Sequence, residues 1–73
     1  MSQFIRSSLA KRLRYLRNKQ NLTQEALSNR SGVSLKYLQN LEGKEPYNPT
    51  LEILEKLADG FEIPLWKLMK FDE

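Results

Sequence analysis

Seventy-three residues bound the chain to a single domain, and a core of that size rarely supplies more than about 3–5 kcal/mol unless something reinforces it. Cysteine and histidine are both absent, which removes disulfides and the usual zinc ligand sets, so no metal and no cofactor is expected. The net charge of +3 is uneven: residues 1–44 hold nine bases against two acids and residues 45–73 hold three against seven, a division that suits a polyanion on one half, although a solvated helix surface would carry the same charges.

The N-terminal MSQFIRSSLAKR has no apolar stretch long enough for a signal peptide, and nothing further on approaches a membrane span. A cytoplasmic protein without a membrane partner is therefore expected. A first helix starts somewhere in residues 3–8 and runs to about Lys19, with Ile5, Leu9, Leu13 and Leu16 on one face at spacings of three and four. Asn21-Leu22 turns the chain. A second helix over about 24–31 is capped by Thr23, with Leu22 and Leu27 placed as a hydrophobic staple. A third over about 35–42 is capped by Ser34, with Val33 and Leu38 in the same relation and Leu38 and Leu41 facing inward.

GKEPYNP, residues 43–49, is a turn-rich loop. The fourth helix, about 51–59, starts from Thr50 with Glu52 in its first turn, and its core stripe reads Leu51, Leu54, Leu57 and Ala58. A short fifth helix follows Pro64. Gly32, Gly43 and Gly60 each follow an apolar-periodic block, where a glycine in the left-handed conformation would close the helix. No strand alternation, repeat or second domain is present, so the class is all-α.

The stretch TQEALSNRSGVSLKYLQNLEG, residues 23–43, joins its two helices through a tight turn at Gly32, and helices joined this way meet steeply. The inside of the angle accepts only small side chains; Ser28 is small enough, and its hydroxyl can bond back to a carbonyl one turn earlier. Leu27, Val33, Leu38 and Leu41 would close a miniature core. Such a helix-turn-helix pushes its second helix outward, where it can lie in a DNA major groove.

The ordered set Arg17, Thr23-Gln24-Glu25, Leu27, Gly32, Val33-Ser34, Leu38, Leu41-Glu42 and Asn48-Pro49-Thr50-Leu51-Glu52 resembles the Cro/C1-type (XRE) helix-turn-helix family over about residues 8–69. Departures are Ser28, where the family usually has alanine, and the longer GKEPYNP loop. The resemblance implies a five-helix, lambda-repressor-like DNA-binding domain spanning 1–73, with the helix-turn-helix at about 23–43 and a dimerisation region at about 51–71. Chains this short with little beyond the domain resemble restriction–modification controller proteins and small phage or plasmid repressors.

Gln24 opens the second helix beside Thr23, where a side-chain amide and free backbone N–H groups suit a phosphate; the duller reading is an exposed, helix-favouring glutamine. The third helix offers Leu35, Lys36, Gln39 and Asn40 outward. Lys36 can donate to guanine, Gln39 and Asn40 can pair with adenine, and Leu35 can touch a thymine methyl, each good bidentate contact adding about 1–3 kcal/mol of discrimination. These match the base-reading positions of the family, although a solvated face has the same polarity. Tyr37 reads as a phosphate contact by resemblance, or as partly buried. Lys44, Tyr47 and Asn48 suit phosphate contact from the loop, or a plain loop. Arg12, Arg14 and Lys19 supply general positive field. The resemblance makes Arg17 and Glu42 an ion pair fixing the angle of the third helix.

FEIPLWKLMKF is too apolar for a surface tail. Part of it closes the core; the rest, with Trp66 as the best candidate and Ile53 and Phe71 as weaker ones, would form a two-fold interface, unless all of it is intramolecular. The chain therefore reads as a sequence-specific regulator that binds double-stranded DNA as a homodimer. No nucleophile–base arrangement suggests an enzyme. The alternatives are a protein-interaction module, such as an antitoxin component, and an RNA-binding adaptor.

Overall fold

The computed structural model describes residues 1–71, folded into five helices: α1 (Gln3–Lys19), α2 (Gln24–Ser31), α3 (Leu35–Leu41), α4 (Leu51–Phe61) and α5 (Leu65–Leu68). Four starts follow from small polar caps. The side chains of Ser2, Thr23, Ser34 and Thr50 accept the N–H groups of Ile5, Ala26, Tyr37 and Ile53 at 3.0–3.2 Å, satisfying donors that a helix start leaves unpaired. α5 starts from Pro64 without a side-chain cap. α1 ends through Asn21 at φ 56°, with the Leu22 N–H returning to the Arg17 carbonyl at 2.8 Å.

Leu9, Leu13 and Leu16 of α1, Leu27 of α2, Val33, Leu38 and Leu41 around α3, Leu54, Leu57, Ala58 and Phe61 of α4 and Leu68 of α5 are all buried in one cluster. α2 packs chiefly against α4, and α5 closes on α4. No helix among the described residues is long and apolar enough to cross a membrane.

The apolar stripes are shorter than their periodicity suggests. Ile5 is 36 % exposed and Leu51 64 % exposed; each stands in the first turn of its helix, and the buried face begins at Leu9 in α1 and at Leu54 in α4. The glycines also divide. Gly32 takes φ 80° and ends α2 as expected. Gly43 stays out of the left-handed region, and α3 ends with Glu42 and Gly43 donating back to the carbonyls of Leu38 and Asn40. Gly60 is not a terminator at all. It lies inside α4, buried, where a Cβ would stand 2.9 Å from Ser31 Cβ and 3.2 Å from Leu27 Cδ1. Its missing side chain lets α4 approach α2, and Glu62 at φ 60° closes the helix instead.

Candidate nucleic-acid interface

The turn between α2 and α3 is tied from within. The Gly32 N–H donates to the Ser28 carbonyl at 2.9 Å, the Val33 N–H donates to Ser31 Oγ at 3.2 Å, and Ser28 Oγ donates to the Val33 carbonyl at 2.6 Å. The Ser28 hydroxyl thus reaches forward across the turn, not back along its helix, because the bend at Gly32 brings the Val33 carbonyl within its reach. Family alanine could not make this contact, so Ser28 adds a clasp to the angle between the two helices.

A second constraint comes from α1. Arg17 donates from Nε and Nη2 to the two carboxylate oxygens of Glu42, each at 2.8 Å, and from Nη1 to the Leu22 carbonyl at 3.0 Å. Arg14 Nη1 donates to the Glu42 carbonyl. Glu42 is 6 % exposed, and two bonds in fork geometry are how a buried carboxylate tolerates its desolvation. The hydrogen bonds to Glu42 raise the Arg17 pKa above its ordinary value; burial opposes the rise by a smaller amount and charge attraction adds to it. A raised folded-state value contributes stability that is full below the unfolded pKa and lost only as pH climbs through the folded one, so Arg17 stays charged across the neutral range.

With α3 held this way, Leu38 and Leu41 point into the core and the other face is left outward. Lys36 and Gln39 are exposed; Leu35, Tyr37 and Asn40 are half-buried. Thr23, Gln24, Glu25, Leu35 and Gln39 line one open hollow, so the start of α2 and the outward face of α3 form a continuous surface. The Thr23 oxygen accepts the Ala26 N–H at 3.0 Å, which leaves its O–H as the donor available to a ligand. Lys44 is exposed and lines a different hollow, with Ser7, Ala10, Lys11, Arg14, Glu42 and Gly43, between α1 and the loop after α3. Tyr47 and Asn48 are exposed on that loop, and the Tyr37 and Tyr47 rings lie 5.5 Å apart at 60°.

Two polar ties escape sequence reading. Arg12 is 4 % exposed and donates from Nη2 to the Lys67 carbonyl at 2.8 Å, with its guanidinium 5.5 Å from the Tyr15 ring centroid. It joins α1 to α5 and is not a surface charge; its place next to Leu13, on the edge of the apolar stripe, was the only available sign. Gln20 Nε2 donates to the Phe61 carbonyl at 3.0 Å, tying the ends of α1 and α4. On the C-terminal side Trp66 is 66 % exposed, whereas Ile53 and Phe71 are partly buried against the core.

The sequence profile of the helix-turn-helix family matches residues 13–65, more than half of the chain, including all of α2, α3 and the loop that follows α3. The chain belongs to the XRE-type helix-turn-helix family. The family is one of DNA-binding transcription regulators. An uncharacterized HTH-type transcriptional regulator of Archaeoglobus fulgidus is 39% identical over 62 residues, which cover 85% of this chain and 86% of that protein. Among solved XRE-type structures, the restriction-modification controller protein C.AhdI from Aeromonas hydrophila superposes with a TM-score of 0.80 at 32% identity, covering 86% of this chain and 94% of C.AhdI. The controller protein C.Esp1396I bound to a 19 base pair DNA duplex superposes with a TM-score of 0.82, covering 96% and 97% of the two chains; at 24% identity this is a likeness of fold.

Proposed function

We propose that this chain is a sequence-specific regulator that binds double-stranded DNA as a homodimer and reads a near-palindromic operator with α3. The observation that carries the reading is the hollow shared by Thr23, Gln24, Leu35 and Gln39: phosphate-suited groups at the start of α2 stand beside base-suited groups on α3, at an angle held by Ser28 and Arg17. In this reading Leu35, Lys36 and Gln39 face base edges. Thr23, Gln24, Tyr37, Lys44, Tyr47 and Asn48 face phosphates, which supply much of the affinity and make it salt-dependent. The likeness to C.AhdI, a controller protein, supports a regulatory role.

The chain acts as one domain, with its helix-turn-helix at about 23–43 and its self-association surface within about 51–71. The exposed indole of Trp66 supports that placement, with Ile53 beside the core and Phe71 contributing less, since part of its ring is already covered. The protein works in the cytoplasm, where the DNA is.

Selection of binding sites from random duplex DNA tests the proposal. The expected outcome is a near-palindrome whose half-sites lie about 34–36 Å apart, or a multiple of that. A protein that enriches no sequence, and that is retained on heparin weakly and without salt dependence, would be a protein-interaction module instead.

A further inference from the structure

The loop of residues 43–49 is fastened to α3 at one residue in two ways. Asn40 Oδ1 accepts the Tyr47 N–H at 2.6 Å, and the Tyr47 ring leans on the Tyr37 ring, with centroids 5.5 Å apart and planes at 60°, a favoured tilted arrangement for an aromatic pair. Tyr37 and Asn40 are three residues apart, so they share a face of the helix. Pro46, immediately before Tyr47, is buried, which sets the loop down against the protein. The Asn40 backbone takes part as well, its carbonyl accepting the Gly43 N–H at 3.0 Å where the loop begins.

Resting on the DNA-binding reading above, we infer that Asn40 is a positioning residue for the phosphate-facing loop and not a reader of bases. Bidentate recognition of adenine asks an asparagine to accept from N6 with its oxygen while donating to N7 with its NH2. One lone pair of the Asn40 oxygen is taken by the Tyr47 N–H, and that bond turns the amide toward the loop. Gln39, its neighbour, is exposed and lies on the hollow shared with α2, so adenine-type contacts fall to Gln39. What Asn40 does instead is hold Tyr47, and through it the next residue, Asn48, and the Thr50 cap that starts α4. The loop then meets DNA already shaped, without the entropy loss of ordering it on contact. The longer GKEPYNP loop of this chain needs such a latch more than a short one would.

Amide hydrogen exchange on the free protein and site selection on random duplex DNA test this together. Asn40→Ala is expected to speed exchange of the Tyr47 amide roughly three- to tenfold, the loss of one ordinary hydrogen bond. It is expected to weaken binding to all operators by a similar factor while leaving the selected motif unchanged. Asn40→Asp keeps an oxygen acceptor and is expected to keep slow exchange at Tyr47. Unchanged Tyr47 exchange in Asn40→Ala, or a motif that loses its preference at one base position, would overturn the assignment. Should Asn40→Ala not fold, the Asn40→Asp exchange decides alone: retained protection supports the latch and lost protection refutes it. A wild-type protein that selects no site would refute the DNA-binding reading while leaving the exchange result intact.

Discussion

The two ends of the molecule hold their helices by different means. Around α2 and α3, polar and directional fastenings are added to the buried Leu27, Val33, Leu38 and Leu41: the Ser28 and Ser31 bonds across the turn and the two-pronged Arg17–Glu42 pair. Around α4 and α5 they are mainly apolar, with Leu54, Leu57, Phe61 and Leu68 buried and Gly60 allowing α4 to close on α2. α2 and α3 have eight and seven residues, each marginal as an isolated helix. Apolar packing is non-directional and supplies stability; a buried ion pair adds little net stability but can specify orientation. The difference suggests that the C-terminal half stabilises the fold while the polar half aims α3.

The sharpest way to break that contrast is Arg17→Ala, which strands the Glu42 carboxylate in the interior. Removing one partner of a buried pair costs about 3–5 kcal/mol, comparable with the whole stability of so small a core, about 3–5 kcal/mol. Thermal melting by circular dichroism should show a protein largely unfolded near room temperature, with DNA binding lost as a consequence. An unchanged melting temperature with binding abolished would make Arg17 a direct DNA contact.

Trp66→Ala probes the other half from outside. If Trp66 anchors the proposed dimer, its loss removes about 2 kcal/mol or more, and sedimentation should shift toward monomer while the melting curve of the monomer stays in place. An unchanged dimer would remove Trp66 as an anchor. Gly60→Ala probes the same half from inside. The new methyl must displace Ser31 or Leu27 at 2.9–3.2 Å, and after the gain in helix propensity a net loss of about 1–2 kcal/mol is expected in urea unfolding. A stabilised variant would show that α2 and α4 are not in close contact. The smallest effect belongs to Ser28→Ala, about 1 kcal/mol for one hydrogen bond. If the contrast holds, its operator affinity falls by more than its stability loss explains, because the bond sets an angle.

Much of this arrangement was legible in the sequence, and the gaps have physical causes. α2 matches its expected bounds because Thr23 and Gly32 act through bonds within a few residues of themselves. Gly60 reads as a terminator in the sequence because a terminating glycine and a close-approach glycine look alike until Ser31 is known to face it. Ile5 and Leu51 fall on the apolar stripes yet lie exposed, because periodicity describes one helix and carries nothing about where its neighbour ends. Arg12 reads as a source of general positive field by residue type, because its partner, the Lys67 carbonyl, lies 55 positions away. Within the candidate interface, Gln24, Leu35 and Gln39 line one hollow. The engagement of Asn40 with Tyr47 depends on the path of an irregular loop, which no periodicity encodes.

The claim on which the rest depends is that α3 is aimed outward to read bases while the start of α2 grips the backbone. Site selection with Lys36→Ala and Gln24→Ala, beside the wild type, tests it most directly. Lys36→Ala should change the preferred base at one or two operator positions, through the loss of a contact contributing about 1–3 kcal/mol, whereas Gln24→Ala should weaken every site about equally and leave the motif alone. The same motif from Lys36→Ala as from wild type would contradict the account.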